Sequence, residues 1–534
     1  MLGRFKMVIA AAAALFALPG ATAPGAPLVP AADAALATAC SALPATDFSS
    51  VADAPTQVTS AAWAPAAPGI PAHCAIMGYV NPNVGIELHL PAQWNGKFAK
   101  IGCGGFCGNT YGARTCAGLL TRGYACVMSD MGHRSTALDG KWAYNNLQAK
   151  FDFGIRAAHV STLAGKAITT AFYGSVPRRA YYMGCSTGGR QGMMEAQRFP
   201  NDFDGIIAGA PVINELGDGL TLMWNSVATL AKDGTQLFTG EDIRTIHQAV
   251  VAACDMNDGV KDGLIGDARS CRFDPGVLQC APGATGGKCL SSAQVAAVRK
   301  IYGGPVDSRG QTLFPAAALP GSEPNWMNTY IGADGKPSTY YKFVGDLFRY
   351  MAFYPDAGPA WQPTDMDWDV DPRRLDLGEM FFNAQNPDLR RFKAHGGKLL
   401  VYHGWSDQSV LTQPVIDYYE TATRTMGGPQ ATRDFFRLFM IPGMNHCTGG
   451  EGAYQVDYLD YLEKWVEKGE APDVLLGQHP AEGAPVLAPF GADPLPADQV
   501  AFSRPHFAYP AAARYAKGDP TKANSFVSRI RKER

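Results

Sequence analysis

Residues 177–192, PRRAYYMGCSTGGRQG, place a glycine-flanked serine between an apolar run and a helix-forming stretch. Residues 180–183 are apolar and β-prone, which predicts a short buried strand. The pentapeptide GCSTG (184–188) follows at once, and residues 190–198 have helix-forming composition. The glycines fit a sharp turn in which Ser186 adopts a strained conformation with another segment packed close to it. The stretch therefore predicts a strand, a tight turn that presents Ser186, and a helix.

A strand, a G-x-S-x-G turn and a helix in this order are typical of the nucleophile elbow of the α/β-hydrolase fold. The five-residue pattern alone is weak evidence, because the chain contains 59 glycines. The rest of the chain supports the fold, since short apolar runs alternate with helical patterns, as a doubly wound parallel sheet requires. The runs are residues 98–101, 124–128, 180–183, 205–208, 398–403 and 435–440, and the clearest helical patterns are 155–172 and 454–468.

The distribution of strand and helix signals also predicts the domain boundaries of the chain. Residues 75–77 and 86–90 alternate in polarity, which predicts antiparallel strands at the edge of the sheet. Strand signals are sparse between 212 and 389, so this region is predicted to be a large inserted lid. The predicted parts are a signal peptide and cleavage region (1–34), a first part of the hydrolase core (35–211), the lid domain (212–389), and a second core part with a proline-rich, surface-wrapping tail (390–534).

Composition excludes several classes of protein. Hydrophobic residues make up 46% of the chain and charged residues 18%, so it can form a large globular core. The formal net charge is -2 and no basic block occurs, so neither a nucleic acid nor a membrane is expected as partner. The oligomeric state is not predicted.

The N-terminus and the cysteines indicate export. Arg4 and Lys6 precede an apolar run, residues 7–18, that is too short to span a bilayer and is typical of a signal peptide. Cleavage is expected after residues 21–23 or 32–34. The 12 cysteines of an exported chain are expected to form disulfides rather than metal sites. We therefore predict a secreted or periplasmic protein.

A serine nucleophile needs a base and an acid that orients the base. In α/β-hydrolases these residues follow the serine in the order acid, then histidine, each after a strand. Asp407 follows the run 399–402 and His446 follows the run 438–440, so both are expected at the carboxyl end of the sheet. The sequence therefore predicts a catalytic triad of Ser186, Asp407 and His446.

Other candidates for these two roles are weaker. His403 stands directly at the end of a strand, which favours a packed histidine that supports the acid loop. Asp434 begins its strand, so it is expected at the opposite end of the sheet. His133 and His159 precede the serine and are expected to be structural.

Two cysteines give an independent test of the triad. Cys185 directly precedes Ser186, and Cys447 directly follows His446. If the serine and the histidine are within hydrogen-bonding reach, these neighbours can fall within disulfide distance. The alternative is that both are unrelated buried thiols.

An oxyanion hole needs two preorganised N–H donors. One is expected from Thr187, directly after the nucleophile. The other is expected from Gly104 or Gly105, in the glycine-rich loop after the first core strand. A phosphate-binding turn is the alternative for this loop, but it lacks both the G-x-G-x-x-G pattern and a Walker lysine.

Residues 254–264, CDMNDGVKDGL, form an acidic segment of the predicted lid. Carboxylates at short spacings with interspersed glycines suit a hard cation with oxygen ligands, although the spacing is not that of an EF-hand. A solvated acidic turn is the alternative. The predicted calcium ligands are Asp255, Asp258 and Asp262, with the carbonyls of Val260 and Leu264.

Together these motifs resemble the tannase and feruloyl esterase family, whose hallmarks match residues 184–189, 254–263 and 446–447. The resemblance implies an exported serine hydrolase that acts on a small ester of an aromatic acid: a feruloyl ester, a gallate ester or a terephthalate monoester. It also implies the triad named above, a structural Ca²⁺ in the lid and no organic cofactor. The bridges that it implies are Cys185–Cys447, Cys40–Cys74, Cys254–Cys271 and Cys280–Cys289.

The chain departs from the family pattern at two places. Where relatives carry a pair of C-terminal cysteines, this chain has Phe507 and Ser528. Four additional cysteines cluster around the predicted oxyanion loop, and they allow three pairings between which the sequence does not choose. They are Cys103, Cys107, Cys116 and Cys126. A bridge from Cys103 is expected either to stiffen the oxyanion loop or to narrow its entrance.

The residues that select the substrate are harder to predict. Trp224, residues 348–354 and Trp361 are candidates for an aromatic wall, although packing inside the lid is the commoner role for such residues. Arg349 either meets a substrate carboxylate or pairs with a neighbouring aspartate (Asp346 or Asp356). Val410 is expected to face the pocket. The competing functions are a non-catalytic binding protein and a peptidase on the same fold.

Overall fold

The computed structural model describes residues 31–283, 288–316, 318–333, 336–484 and 493–530. The predicted signal peptide therefore lies outside the described residues, except for residues 31–34 at the start of the first helix. No helix within the described ranges is long and apolar enough to cross a membrane.

One large sheet forms the centre of the molecule. Its strands are β1 (Thr56–Ala64), β2 (His73–Val80), β3 (Val84–Pro91), β4 (Lys97–Ile101), β5 (Ala125–Ser129), β6 (Arg179–Cys185), β7 (Gly205–Gly209), β8 (Lys398–Gly404) and β9 (Phe436–Ile441). Their order in the sheet is β1-β2-β3-β5-β4-β6-β7-β8-β9. Strands β4 to β9 run parallel, while β1, β2 and β3 pair antiparallel at one edge. This is the predicted mixed sheet with an antiparallel edge.

Helices cover both faces of this sheet. The α-helices are α1 (Ala31–Ala42), α2 (Ala113–Thr121), α3 (Leu147–Phe151), α4 (Ala157–Tyr173), α5 (Thr187–Arg198), α6 (Glu215–Ala228), α7 (Gly240–Cys254), α8 (Ser292–Gly303), α9 (Thr339–Leu347), α10 (Asp376–Phe382), α11 (Arg390–His395), α12 (Thr412–Thr425), α13 (Pro429–Arg433) and α14 (Tyr458–Lys468). Neighbouring residues of β6 point to opposite faces. Tyr182 packs in one core with residues of α4 and α5, whereas Tyr181 packs in a second core with residues of α2 and α14. The doubly wound α/β-hydrolase fold is therefore present.

The chain between β7 and β8 contains α6 to α11 and, in its described part, no strand of the sheet. It occupies the place of the predicted lid. Its buried residues, including Leu216, Trp326 and Phe348, belong to the same hydrophobic core as Ile206 and Leu399 of the sheet. The lid boundaries at 212 and 389 stay a prediction, because no separate core marks them off.

Several elements differ from the sequence-based expectation. Residues 31–71 contain α1 and β1, neither of which was predicted. The tail contains two antiparallel pairs, β10 (Val474–Pro480) with β11 (Val500–Phe507) and β12 (Ala511–Tyr515) with β13 (Phe526–Ile530). These strands lie at edges and are partly exposed, so their sequences lack the apolar runs by which buried strands are recognised.

Six disulfide bridges pair all 12 cysteines. Four of them are the predicted pairs Cys40–Cys74, Cys185–Cys447, Cys254–Cys271 and Cys280–Cys289. The four additional cysteines pair locally, as Cys103–Cys107 and Cys116–Cys126. The pairing that the sequence left open is thus the one with the shortest loops.

Candidate active site

Ser186 occupies the tight turn between β6 and α5. Its backbone φ is 63°, a value that L-residues rarely adopt. Its amide donates a hydrogen bond to the carbonyl oxygen of Gly209 at 3.0 Å. A Cβ atom on Gly184 would lie 2.5 Å from the carbonyl oxygen of Gly188, and one on Gly189 would lie 2.3 Å from that of Gly209. The turn therefore needs these glycines, and it holds the serine at the carboxyl end of the sheet.

Asp407 and His446 meet at the same end of the sheet. Asp407 follows β8 and is buried, and its Oδ2 lies 2.9 Å from Nδ1 of His446, which follows β9. Its Oδ1 accepts hydrogen bonds from the amides of Ser409 and Val410, at 2.8 and 3.0 Å. Burial opposes the charge of this carboxylate, but the adjacent histidines lower the pKa of Asp407 below its usual value. An ionised Asp407 can only accept a hydrogen bond, so the ring nitrogen Nδ1 of His446 carries the proton.

His403 lies on the other side of the same carboxylate. Its Nε2 is 3.3 Å from Oδ2 of Asp407 and 3.2 Å from the carbonyl oxygen of Val410. The ring is fully buried, so it supports the acid loop and does not reach a substrate. Asp434 lies before β9, at the opposite end of that strand, where it faces Lys393 at 3.6 Å. Asp407 therefore contacts both His403 and His446, and of these two histidines only His446 lines the cavity with Ser186.

The bridge Cys185–Cys447 joins the turn of Ser186 to the loop of His446. The two Cα atoms lie 5.8 Å apart, although 262 positions separate them in sequence. Ser186 and His446 also line one common cavity. The bridge therefore fixes the turn of Ser186 against the loop of His446.

The predicted oxyanion residues Gly104, Gly105 and Thr187 line this cavity too. Thr187 is the first residue of α5, so its amide has no acceptor within the helix. Gly105 has a φ of 55°, and a Cβ atom there would lie 2.3 Å from the carbonyl oxygen of Ala137. The bridge Cys103–Cys107 encloses both glycines in a five-residue loop.

The cavity has a volume of about 330 Å³, at the small end of the range of about 300–1,000 Å³ for small-molecule sites. Much of its wall is apolar, and the contributing side chains include Leu138, Val212, Leu222, Phe343, Leu347 and Val410. Two carboxylic acids, Glu215 and Asp218, complete the wall. A site of this size and polarity suits a small, largely apolar ligand.

Most of the predicted aromatic wall lies elsewhere. Val410 lines the cavity as expected, but Trp224 lies in a separate surface depression with Trp368. Arg349 is bonded to Asp346 at 3.1 Å and to the carbonyl oxygen of Trp361 at 2.6 Å. The pairing alternative was therefore correct for Arg349, because its guanidinium is already occupied.

Helices α6 and α9 supply the residues that the sequence-based prediction missed. Glu215, Asp218 and Leu222 are spaced three and four residues apart on α6, and Phe343 and Leu347 are spaced four apart on α9. This is the helical spacing of side chains on one face. This spacing can be recognised in the sequence, but the sequence does not show which face of each helix borders the cavity.

The acidic loop keeps its carboxylates close to its own backbone. Oδ1 of Asp255 accepts the amides of Asp262 and Gly263 at 3.0 and 3.1 Å, while Oδ1 of Asp258 and of Asp262 accept the amides of Val260 and Leu264 at 3.2 and 3.1 Å. Oδ2 of Asp262 pairs with Arg504 at 2.6 Å.

The fit of this loop to a cation is partial. Burial and the negative charges of Asp262 and Asp255 raise the pKa of Asp258 to about 6. Carboxylates that repel one another, in a loop whose donors are all oxygen atoms, suit the binding of a hard cation. However, among the described residues only His159, Glu195 and Asp202 bring three ligand atoms within 4.8 Å of one another. The loop therefore has the right donors but holds them further apart than a bound ion requires.

Comparisons with known proteins agree with this geometry. Residues 70–529 match the family model described as tannase and feruloyl esterase. The chain is 33% identical to mono(2-hydroxyethyl) terephthalate hydrolase of Piscinibacter sakaiensis, covering 88% of both chains. It is 32% identical to a probable feruloyl esterase B-2 of Aspergillus fumigatus, covering 80% of this chain and 79% of the relative.

A solved structure gives the same result. The structure is similar to that of feruloyl esterase B from Aspergillus oryzae, with a TM-score of 0.81 and 27% identity, covering 92% of this chain and 100% of that one. The family model spans most of the chain, and the relatives match it over most of their own length. The chain therefore belongs to the tannase and feruloyl esterase family and is a carboxylic-ester hydrolase.

Proposed function

We propose that this hydrolase is exported and cleaves esters of aromatic acids by a Ser186–His446–Asp407 acyl-enzyme mechanism. The observation that carries the proposal is the 2.9 Å contact between His446 and Asp407 in a loop bridged to the strained turn of Ser186. A small, largely apolar cavity beside the serine supports an aromatic substrate. Six disulfides support an oxidising compartment.

In the first half of the reaction, Oγ of Ser186 attacks the ester carbonyl while Nε2 of His446 accepts its proton. Asp407 keeps the proton on Nδ1 and stabilises the imidazolium that forms. The amides of Thr187 and of Gly104 or Gly105 donate to the oxyanion, and each such donor typically lowers the barrier by about 3 kcal/mol.

The imidazolium of His446 then protonates the leaving alcohol, which departs and leaves the acyl group on Oγ of Ser186. In the second half, the same nitrogen takes a proton from water, which attacks the acyl-enzyme carbonyl. A second tetrahedral intermediate collapses, the aromatic acid leaves, and Ser186 recovers its proton from His446. Among the protein groups of this mechanism, only Ser186 and His446 change protonation; Asp407 stays ionised and the oxyanion amides only donate hydrogen bonds.

The test is the variant Ser186→Ala, assayed with p-nitrophenyl acetate. Hydrolysis should fall to the background rate while the circular dichroism spectrum and the melting temperature stay those of the parent. Ser175→Ala, an exposed serine before β6, is the matched control and should keep full activity. An active Ser186→Ala protein would refute the proposed nucleophile.

A feruloyl ester is the first candidate substrate, with a gallate ester and a terephthalate monoester as alternatives. Relatives bearing the names feruloyl esterase and terephthalate hydrolase are about equally similar in sequence, so they do not separate these substrates. Relative values of kcat/KM for methyl ferulate, methyl gallate and a terephthalate monoester would do so. A substrate amide of the same acid should be cleaved far more slowly, which distinguishes an esterase from a peptidase.

A structural Ca²⁺ in the loop 254–264 is also proposed, on the oxygen donors of Asp255, Asp258 and Asp262. Ion binding would draw these carboxylates together and relieve their repulsion. Chelation should lower the melting temperature, and Ca²⁺ but not Mg²⁺ should restore it. Asp258→Asn should abolish this response, and an unchanged melting temperature after complete chelation would count against the ion.

A further inference from the structure

Both sequence neighbours of His446 are tied to other parts of the molecule. Cys447, which follows it, is bridged to Cys185 in the turn between β6 and α5. Asn445, which precedes it, forms two reciprocal hydrogen bonds with Asn325, a residue of the chain between β7 and β8. Nδ2 of Asn325 donates to Oδ1 of Asn445 at 2.6 Å, and Nδ2 of Asn445 donates to Oδ1 of Asn325 at 2.9 Å. The loop of His446 is therefore held from the nucleophile on one side and from the lid region on the other.

The loop of His446, residues 443–452, has a strained backbone. Cys447 has a φ of 68°, which L-residues rarely adopt and which persists only where the surrounding structure enforces it. Within the loop, the amide of Asn445 donates to the carbonyl oxygen of Gly449 at 3.0 Å. Bonds inside a loop set its shape, but they leave its position relative to the rest of the molecule open. Contacts with other segments must fix that position.

The turn that carries Asn325 is itself firmly held. Glu323, two residues earlier, is fully buried. Its carboxylate accepts a hydrogen bond from the hydroxyl group of Tyr302 at 2.6 Å and lies 2.8 Å from Nδ1 of His247. Trp326, the next residue, is also fully buried. Asn325 therefore extends from a turn that is fixed on both sides.

A second contact joins the same two regions more weakly. Nε2 of His247 lies 3.5 Å from Oε2 of Glu451, whose side chain is 57% exposed. Ion pairs at such exposed positions contribute little to stability. The amide bonds between Asn325 and Asn445 are shorter, and both of these residues are half-buried. The amide pair is therefore the stronger of the two links.

We propose that Asn325 is a positioning residue for ester hydrolysis: by pairing with Asn445 it fixes the loop of His446, so that the base stays aligned between Asp407 and Ser186. The proposal rests on the mechanism proposed above. Neither asparagine is among the described residues that line the cavity, so the pair should affect the chemical step and leave substrate binding unchanged. A displacement of about 1 Å in a catalytic group can cost about 10²-fold in rate.

The test is the variant Asn325→Leu, whose side chain has a similar shape but forms no hydrogen bond. With p-nitrophenyl acetate, kcat and kcat/KM should fall equally, by about 10- to 100-fold, since only the alignment of the base is lost. The circular dichroism spectrum should stay that of the parent. Asn386→Leu, at an exposed asparagine between β7 and β8, is the matched control and should keep the kcat of the parent.

A double variant tests whether the effect passes through Asn445. Asn445→Leu should lower kcat by a factor similar to that of Asn325→Leu. The variant with both substitutions should be about as active as the slower single variant, because the pair is already lost in each of them. Two reductions that multiply would show that the residues act independently, and this would overturn the proposal.

The outcomes separate this proposal from the mechanism on which it rests. If the parent depends on Ser186 and Asn325→Leu keeps the parent's kcat, the role of Asn325 is overturned and the mechanism stands. An active Ser186→Ala variant overturns the mechanism, and the role of Asn325 falls with it. If Asn325→Leu does not fold, Asn325→Ser takes its place, because its hydroxyl group is too short to complete the pair. The same loss of kcat is expected, and an unchanged kcat overturns the proposal.

Discussion

Asp407 is the residue on which the orientation of His446 depends. One carboxylate oxygen is held by two backbone amides, and the other contacts the rings of His446 and His403. Four contacts on a buried side chain leave it one position. The position of the acid is therefore fixed before any substrate binds. Its contact with Nδ1 in turn fixes the orientation of the His446 ring.

Replacing the carboxylate of Asp407 by an amide should change the hydrogen bonding of His446 without changing the size or shape of the side chain. In Asp407→Asn the amide can donate to Nδ1, which favours the wrong tautomer of His446. We expect kcat to fall by about 10⁴-fold, as such a change does in other triads, with a normal circular dichroism spectrum. Steady-state kinetics on p-nitrophenyl acetate measures it. Asn201→Asp, at an exposed position outside the triad, is a reverse exchange and should change kcat far less.

A histidine outside the site gives the molecule a pH dependence. His247 on α7 lies 2.8 Å from Glu323 and 3.5 Å from Glu451. Burial lowers the pKa of His247, but the two carboxylates raise it by more, so that the pKa is about 9. Because this value is above that of the unfolded chain, its contribution to stability is complete below about pH 6.5 and is lost as pH rises through about 9.

The measurement is the free energy of unfolding in urea at several pH values. The parent should lose stability between about pH 6.5 and 9, and His247→Gln should lose less over the same interval. Equal slopes for the two proteins would show that this ion pair does not contribute.

Among the elements, the loop between β4 and α2 is the one closest to the proposed oxyanion hole. The bridge Cys103–Cys107 closes it around both candidate oxyanion glycines. The side-chain amide of Gln191, on α5, lies 3.3 and 3.5 Å from the two sulfur atoms. The loop is thus fixed at both ends and against the helix that follows the nucleophile.

Replacing Cys103 and Cys107 by serine should make the proposed oxyanion amide of Gly104 or Gly105 more mobile, and this should slow the chemical step. We expect kcat to fall by about 10- to 100-fold with little change in KM, since a lost oxyanion donor costs about 10²–10³ and here the donor is only displaced. The control replaces Cys116 and Cys126, the other local bridge of this region, which spans 10 positions instead of 4 and does not line the cavity. Equal kinetics for the two double variants would dismiss a role of the loop bridge in catalysis.

Elements were predictable from sequence where local rules decide them. The strand, turn and helix around Ser186 could be predicted, because they follow one another in one short stretch of sequence. Strand β1 was not, because its exposed edge carries alanine, serine and threonine in place of an apolar run. The wall from α6 and α9 was not, because two helices far apart in sequence meet only in the folded chain. Arg349 was assigned correctly only as one of two alternatives, since the choice depends on tertiary contacts.

At the scale of the whole molecule, the bridge Cys185–Cys447 closes the longest covalent loop. In the chain-entropy model, a bridge across 262 positions contributes about 5.6 kcal/mol, while one across 10 positions contributes about 2.7 kcal/mol. Replacing Cys185 and Cys447 by serine should therefore lower the free energy of unfolding more than replacing Cys116 and Cys126. Equilibrium denaturation measures both, and the reverse order would contradict the loop-length argument.

The chain between β7 and β8 shares one hydrophobic core with the sheet, and this limits how the family can diversify. A substrate-binding region with its own core could be exchanged between relatives as a module. Here a transplanted segment would have to bring partners for Ile206 and Leu399 as well as a new cavity wall. New specificities should therefore arise by point substitutions on the cavity faces of α6 and α9, and chimaeras that swap the whole segment should expose apolar surface and aggregate.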